Sequence, residues 1–215
     1  FPLAGGDAAV RHPWRAALGL LHALALDDHE AVLLTPRLEP LARRTVAAQL
    51  QRNLACATTT SMGRFLDACA ALAGGRRSVS YEGQGAIEFE ALGRTAAAQV
   101  TAPAGGAPGS TDGYRLAVVD VPDSAAHAPR YILDPTELVR TLLADAARAG
   151  QPGAPTTAAI ALAVHAAIAR AMADVADRVR ADHGVTTVGL TGGVFQNRLL
   201  ADIEQCCCAL DDGLG

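Results

Sequence analysis

The 215-residue sequence predicts a helix-rich α/β fold, on three observations. Apolar residues recur at spacings of three and four along several stretches, as in helices with one buried stripe. Between these stretches lie only short β-prone runs bounded by Pro and Gly. Half of the residues are apolar and only 4% aromatic, and alanine dominates, which suits helices packed closely over small side chains.

The elements follow in order. Pro13 suits a first helical turn, where its missing N–H costs nothing, and Trp14, Leu18, Leu21 and Leu24 continue as one stripe. Asp27-Asp28-His29-Glu30 is a polar break, and a second helix is expected over about 38–53. Thr58-Thr59-Thr60-Ser61 offers hydroxyl caps to a helix carrying Met62, Phe65, Leu66, Cys69 and Leu72 on one side, stopped by Gly74-Gly75. Ser80-Tyr81-Glu82-Gly83 starts another, with Ile87 and Leu92 among its apolar positions. A loop rich in Pro, Gly, Ala and Ser and two short strands, 114–120 and 131–133, make an insert over about 102–133. Asp134-Pro135 starts the next helix, Asp as cap and Pro at the first position. The longest helix is expected from about 155 to 183, its stripe formed by Ile160, Val164, Ile168, Met172, Val175 and Val179, with Gly184 ending it. Thr186-Thr187-Val188-Gly189-Leu190 is a β-prone run, and the chain turns helical again from Val194.

The formal charge of −4 gives no basic footprint for nucleic acid. No unbroken apolar stretch approaches a membrane span, and the first residues lack the pattern of a signal peptide. Cys56, Cys69 and Cys206-Cys207-Cys208 are odd in number and do not resemble a secreted disulfide framework, so the expected compartment is the cytoplasm. His12, His22, His29, His127, His165 and His183 form no close i,i+4 pair, and no Cys-x-x-Cys occurs, so no metal site is expected. His165, at the edge of its helix's stripe, reads as a core or boundary histidine.

The strongest local constellation is a strand, then Thr191-Gly192-Gly193, then a helix. Two glycines let backbone N–H groups approach an anion, and the helix N-terminus adds partial positive charge. Asn197, one turn in, has a donor and an acceptor for a base edge. On spacing alone a plain tight turn explains the pattern equally well. Arg64 can neutralise an anionic oxygen through a bidentate contact, with Asp67 turned from the apolar side of its helix towards a cleft. The alternative is an Arg64–Asp67 surface pair at i,i+3, worth a few tenths of a kcal/mol. The Asp7 carboxylate can accept hydrogen bonds from ribose hydroxyls or cap a helix.

Gly189-Leu190-Thr191-Gly192-Gly193-Val194-Phe195-Gln196-Asn197-Arg198-Leu199-Leu200 closely resembles a signature of the HypF carbamoyltransferases of [NiFe]-hydrogenase maturation. Further stretches match that family in the same order: Phe1-Pro2-Leu3-Ala4-Gly5-Gly6-Asp7 with Pro13-Trp14-Arg15, then Thr60-Ser61-Met62-Gly63-Arg64-Phe65-Leu66-Asp67, then Ser80-Tyr81-Glu82-Gly83-Gln84, with Leu133-Asp134-Pro135 and His165. The resemblance implies part of an actin-like, sugar-kinase-like ATP-binding fold, over 1–200, within a C-terminal threonylcarbamoyl-transferase-like domain. It implies ATP with Mg, carbamoyl phosphate as donor, a carbamoyl adenylate intermediate, and the C-terminal cysteine of HypE as acceptor. By the same resemblance Gly5, Gly6 and Asp7 would touch the ribose, and Gly192, Gly193 and Asn197 would contact phosphate and adenine. Ser61 joins them in binding, Arg64 and Asp67 take catalytic roles, and Glu82 and Gln84 form a wall of the site.

The sequence also departs from that family. Its paired metal-binding histidines, which hold zinc or iron, would lie upstream of Phe1, and the likeness fades after Leu200, leaving 201–215 as an atypical tail. A fragment that binds nucleotide but does not complete carbamoyl transfer alone is therefore expected. An antibiotic O-carbamoyltransferase and a non-catalytic nucleotide-binding or interaction fragment are the other readings.

Overall fold

Strand β1 (Pro2–Ala4) opens the fold and pairs antiparallel with β2 (Cys56–Thr58), Leu3 opposite Ala57. The structure, a computed structural model, describes residues 1–26, 38–100, 113–121 and 130–203. After β1 come the short helix α1 (Asp7–Arg11) and α2 (Pro13–Ala23), whose Pro13 occupies the first turn as its sequence suggests. Helix α3 (Pro40–Gln51) follows, with Glu39 accepting a hydrogen bond from the Ala42 N–H as its cap. The β1–β2 ribbon leads into α4 (Met62–Leu72), capped by the Ser61 hydroxyl on the Arg64 N–H. Helix α5 (Gln84–Val100) runs next, then the antiparallel hairpin of β3 (Ala117–Asp120) and β4 (Tyr131–Asp134), α6 (Thr136–Ala147) and the long α7 (Thr157–His183).

Two helix pairs hold the core: α2 against α4, and α5 against α7. Their buried residues are small or branched: Ala16, Ala17, Leu20 and Leu21 from α2, Leu66, Ala68 and Cys69 from α4, and Ile160, Val164 and Ile168 from α7. Glycine sets the closest approaches. A Cβ on Gly19 would stand 1.8 Å from the Pro2 carbonyl oxygen, and one on Gly93 would stand 2.6 Å from the Leu199 side chain. Without those glycines, α2 could not lie against β1 nor α5 against α7 at this separation.

Several expectations need correction. The run 186–190 is not a strand: residues 185–191 have neither helix nor strand structure, and Val185, Val188 and Leu190 are exposed. A strand needs a hydrogen-bonding neighbour, and among the described residues none lies beside this run. After it the chain forms a 3₁₀ turn, Gly193–Gln196, and becomes α-helical only over 198–203. The α6 helix starts one residue late, because Asp134 Oδ1 accepts from both the N–H and the hydroxyl of Thr136, leaving Pro135 as the cap residue. Ile87 and Leu92 are exposed, and α5 buries Phe89 and Ala96 instead.

Contrary to the sequence-based expectation, α7 is long and apolar enough to cross a membrane by length and composition. In this fold it is a core helix, with Ile160, Val164 and Ile168 buried among the other helices. The break at 27–30, the loop 102–112, His29, His127 and Cys206-Cys207-Cys208 lie outside the described residues.

Candidate nucleotide and anion cleft

The first turn of α4, the start of α5 and the turn 193–197 together line a cleft of 760 Å³. Ser61 and Arg64 line it from the start of α4, Glu82, Ile87 and Glu90 from the entry and first turns of α5, and Gly193 and Asn197 from the turn. That volume lies within the range of small-molecule sites, roughly 300–1,000 Å³.

Arg64 is the chemical centre of this wall. The residue is 8% exposed. Its Nη2 lies 3.0 Å from Asp67 Oδ2 and 3.7 Å from Glu82 Oε1. Among the described residues its Nη1 is buried with no hydrogen-bond partner. Asp67 is buried behind it, and its Oδ1 accepts the Ala86 N–H at 2.9 Å, tying the first turn of α5 to α4. A Cβ on Gly85 would stand 2.9 Å from that same oxygen, so glycine leaves Asp67 the room to reach Ala86. Burial pushes the Asp67 carboxyl above its ordinary range, opposed by Arg64 and the Ala86 N–H and reinforced by Glu82. The i,i+3 pair read from the sequence is thus present, but as a buried pair in a cleft wall.

Asn197 has a different surrounding from the one its motif suggests. Its Oδ1 caps the last helix by accepting the Leu200 N–H at 2.9 Å, and its Nδ2 donates to His165 Nε2 at 2.9 Å. His165, fully buried, completes the chain by donating from Nδ1 to the Ala161 carbonyl at 2.7 Å. These partners fix one neutral tautomer of the ring, and burial holds its pKa below the ordinary 6.5. Asn197 therefore presents an edge to the cleft while its polar atoms hold the turn in place.

The glycine loop near the start stands apart from the cleft. Gly5 and Gly6 both have positive φ, and their N–H groups donate to the Ala55 and Leu3 carbonyls. The φ of +86 at Gly5 accounts for glycine there, and a Cβ would also stand 2.9 Å from Arg15 Nη1. Asp7 is exposed at the first position of α1 and lines a second recess, of 340 Å³, with Arg11, Tyr81 and Glu82. Glu82 belongs to both recesses. Gly192, at φ +107, needs glycine for its backbone, yet a Cβ there would meet nothing within 4 Å. Gln84 turns inward, accepting the Ser80 N–H and donating to Glu88, so it shapes the start of α5.

Sequence reasoning overlooked Glu90 and Gly85. Gly83 precedes α5, and Ile87 and Glu90 follow it at spacings of four and three on one face of the chain entering that helix, and that periodicity was the available signal. Glu90 also accepts the Arg198 N–H at 2.9 Å, anchoring the last helix to α5.

Residues 1–211 match the family model described as "Carbamoyltransferase, Kae1-like Domain, second subdomain". The chain belongs to the HypF carbamoyltransferase family. It is 34% identical over 206 residues to the "Carbamoyltransferase HypF homolog" of Cupriavidus necator, covering 95% of this chain and 47% of that protein. It is 33% identical to the "Carbamoyltransferase HypF" of Rhizobium leguminosarum bv. viciae, covering 93% of this chain and 22% of that one. Among solved structures it is similar to full-length HypF in a phosphate- and nucleotide-bound form (TM-score 0.77, 27% identity, 98% of this chain and 24% of that one). It also resembles T. kodakarensis HypF, with TM-score 0.66 and 25% identity over 98% of this chain and 25% of that chain. The helix-rich α/β architecture is therefore part of the actin-like fold of the HypF Kae1-like domain. The chain spans less than half the length of these HypF relatives.

Proposed function

We propose that this chain forms one wall of the nucleotide and carbamoyl-transfer cleft of a HypF carbamoyltransferase. One observation carries the reading: Arg64, buried at the cleft wall, has an Nη1 with no partner among the described residues. A buried donor without a partner costs roughly 1–3 kcal/mol, and an anionic oxygen is the natural partner of a guanidinium. A solved relative described as phosphate- and nucleotide-bound supports the same ligand class.

In this reading Arg64 receives a phosphate or carbamoyl oxygen, and Asp67 is a positioning residue that fixes the guanidinium from behind. Ser61, Gly193 and the edge of Asn197 shape the nucleotide side. Gly192 sets the turn, Asp7 lines the adjoining recess on the ribose side, and Gly5 and Gly6 form the turn that leads into it. The whole protein would convert carbamoyl phosphate and ATP into carbamoyl adenylate, consuming water and releasing inorganic phosphate from the donor and pyrophosphate from ATP. The thiolate of the HypE C-terminal cysteine would then attack the carbamoyl carbon as AMP leaves. Among the described residues no three His, Cys, Asp or Glu side chains converge to hold a metal.

Calorimetric titration with ATP and with inorganic phosphate tests the proposal. Arg64→Lys keeps the charge beside Asp67 and removes the planar fork, and both ligands should bind about tenfold more weakly. Equal binding by the wild type and the Lys variant, with circular dichroism unchanged, would remove Arg64 from the site.

A further inference from the structure

Glu82 occupies an unusual position for a carboxylate in a cleft read as anion-binding. It lies at the junction of the two recesses, and its side chain is 77% exposed. Its Oε1 is 3.7 Å from Arg64 Nη2, close enough for attraction and too far for a hydrogen bond. Asp67 already meets that nitrogen at 3.0 Å and is held from its other oxygen by Ala86. One guanidinium thus faces two carboxylates, and with both ionised the trio carries a net charge of −1.

An approaching phosphate would meet that excess negative charge. Two carboxylates are present, and only one is free to leave. Asp67 is 2% exposed and anchored to backbone, so moving it would detach the first turn of α5 from α4. Glu82 precedes Gly83, whose φ is +82 and whose missing Cβ would meet nothing within 4 Å, and it stands where both recesses open to solvent.

We propose that Glu82 is a displaceable counter-ion of Arg64, holding the guanidinium electrostatically until an anion takes its place and thereby setting the cleft's affinity for anions. The inference rests on the anion-binding reading of Arg64 and adds a competitor within the chain. Glu82 swings aside when the anion arrives, and its displacement is a fixed cost on every anion that binds.

The test is phosphate titration of the full chain as wild type, Glu82→Gln and Arg64→Lys, at low and high salt. Removing a partly screened charge at this range should tighten phosphate binding about three- to tenfold in Glu82→Gln. The gain should shrink as ionic strength rises. Glu82 is exposed, so its Gln variant should keep the wild-type circular dichroism and unfolding midpoint. If Glu82→Gln binds phosphate no tighter than wild type while Arg64→Lys binds more weakly, Glu82 is no competitor and only the anion site survives. Weaker binding in Glu82→Gln overturns the inference outright, because the carboxylate would then assist the ligand. No phosphate binding by any of the three overturns the anion site and this inference together.

Discussion

Two buried polar residues show how single side chains set the behaviour of the cleft. His165 is neutral, donating to Ala161 and accepting from Asn197, and burial lowers its pKa. A lowered histidine pKa means that the unfolded chain binds the proton more readily. The contribution is therefore complete above the ordinary value of 6.5 and is lost as pH falls below it. Urea unfolding at pH 7.5 and pH 5 should show a larger acid loss of stability in the wild type than in His165→Gln. Equal pH dependence would mean that the ring takes up its proton equally in the folded and unfolded chain, and that burial does not lower its pKa. Asp67 acts in the opposite direction, since its raised pKa favours the folded, protonated form as pH falls. Truncating it to Ala leaves Arg64 facing only the distant Glu82 and frees the Ala86 N–H. The loss should be about 3–5 kcal/mol. Asp67→Asn, which can still accept from Ala86, should lose less. Arg64 and Asp67 were legible in the sequence as a pair, because i,i+3 spacing is visible there. The burial that changes their meaning was not, because it comes from α5 lying across α4.

Helices were the most legible elements, because each announces itself by a stripe and a cap. Ser61 before Met62, Thr156 before Thr157 and Gly184 after His183 bound their helices where capping chemistry places them. The hairpin was also readable, and its register pairs Ala117 with Asp134 and Asp120 with Tyr131. Tyr131 then binds it to α7 by donating to Asp182, while Arg178 of α7 pairs with Asp120. Pairings between distant elements left weaker marks. Gly93 looks like a helix-weakening residue in sequence, yet it is where α5 and α7 touch. A methyl group there meets Leu199 at 2.6 Å and the Leu162 backbone nitrogen at 3.3 Å. Gly93→Ala should therefore destabilise the fold by about 1–3 kcal/mol, although alanine is the better helix former. A stabilised variant in thermal unfolding would show that the two helices are further apart.

At the scale of the whole molecule, the run 185–190 separates what local sequence suggests from what the described fold uses. Its composition is that of a strand, and alternation places Val188 and Leu190 on one face. Both are nonetheless about half exposed, at 46% and 48%, and pair with nothing in the two ladders. Strand propensity is a statement about fitting a pleated neighbour, so the run could not be placed from its own residues. The stability of this chain should accordingly rest on the helix pairs and not on this segment. Leu190→Ser should change the unfolding free energy of the 215-residue chain by no more than about 0.5 kcal/mol. Leu142→Ala, at a fully buried site on α6, should cost about 2–5 kcal/mol. Urea denaturation of both variants beside the wild type compares them directly. A large loss in Leu190→Ser would show that the run packs in solution, and the turn at Gly192 and Gly193 would then be held from both sides. A small loss leaves that turn anchored through Asn197 to His165 and through Arg198 to Glu90, which places the rigid end of the cleft on α7 and α5.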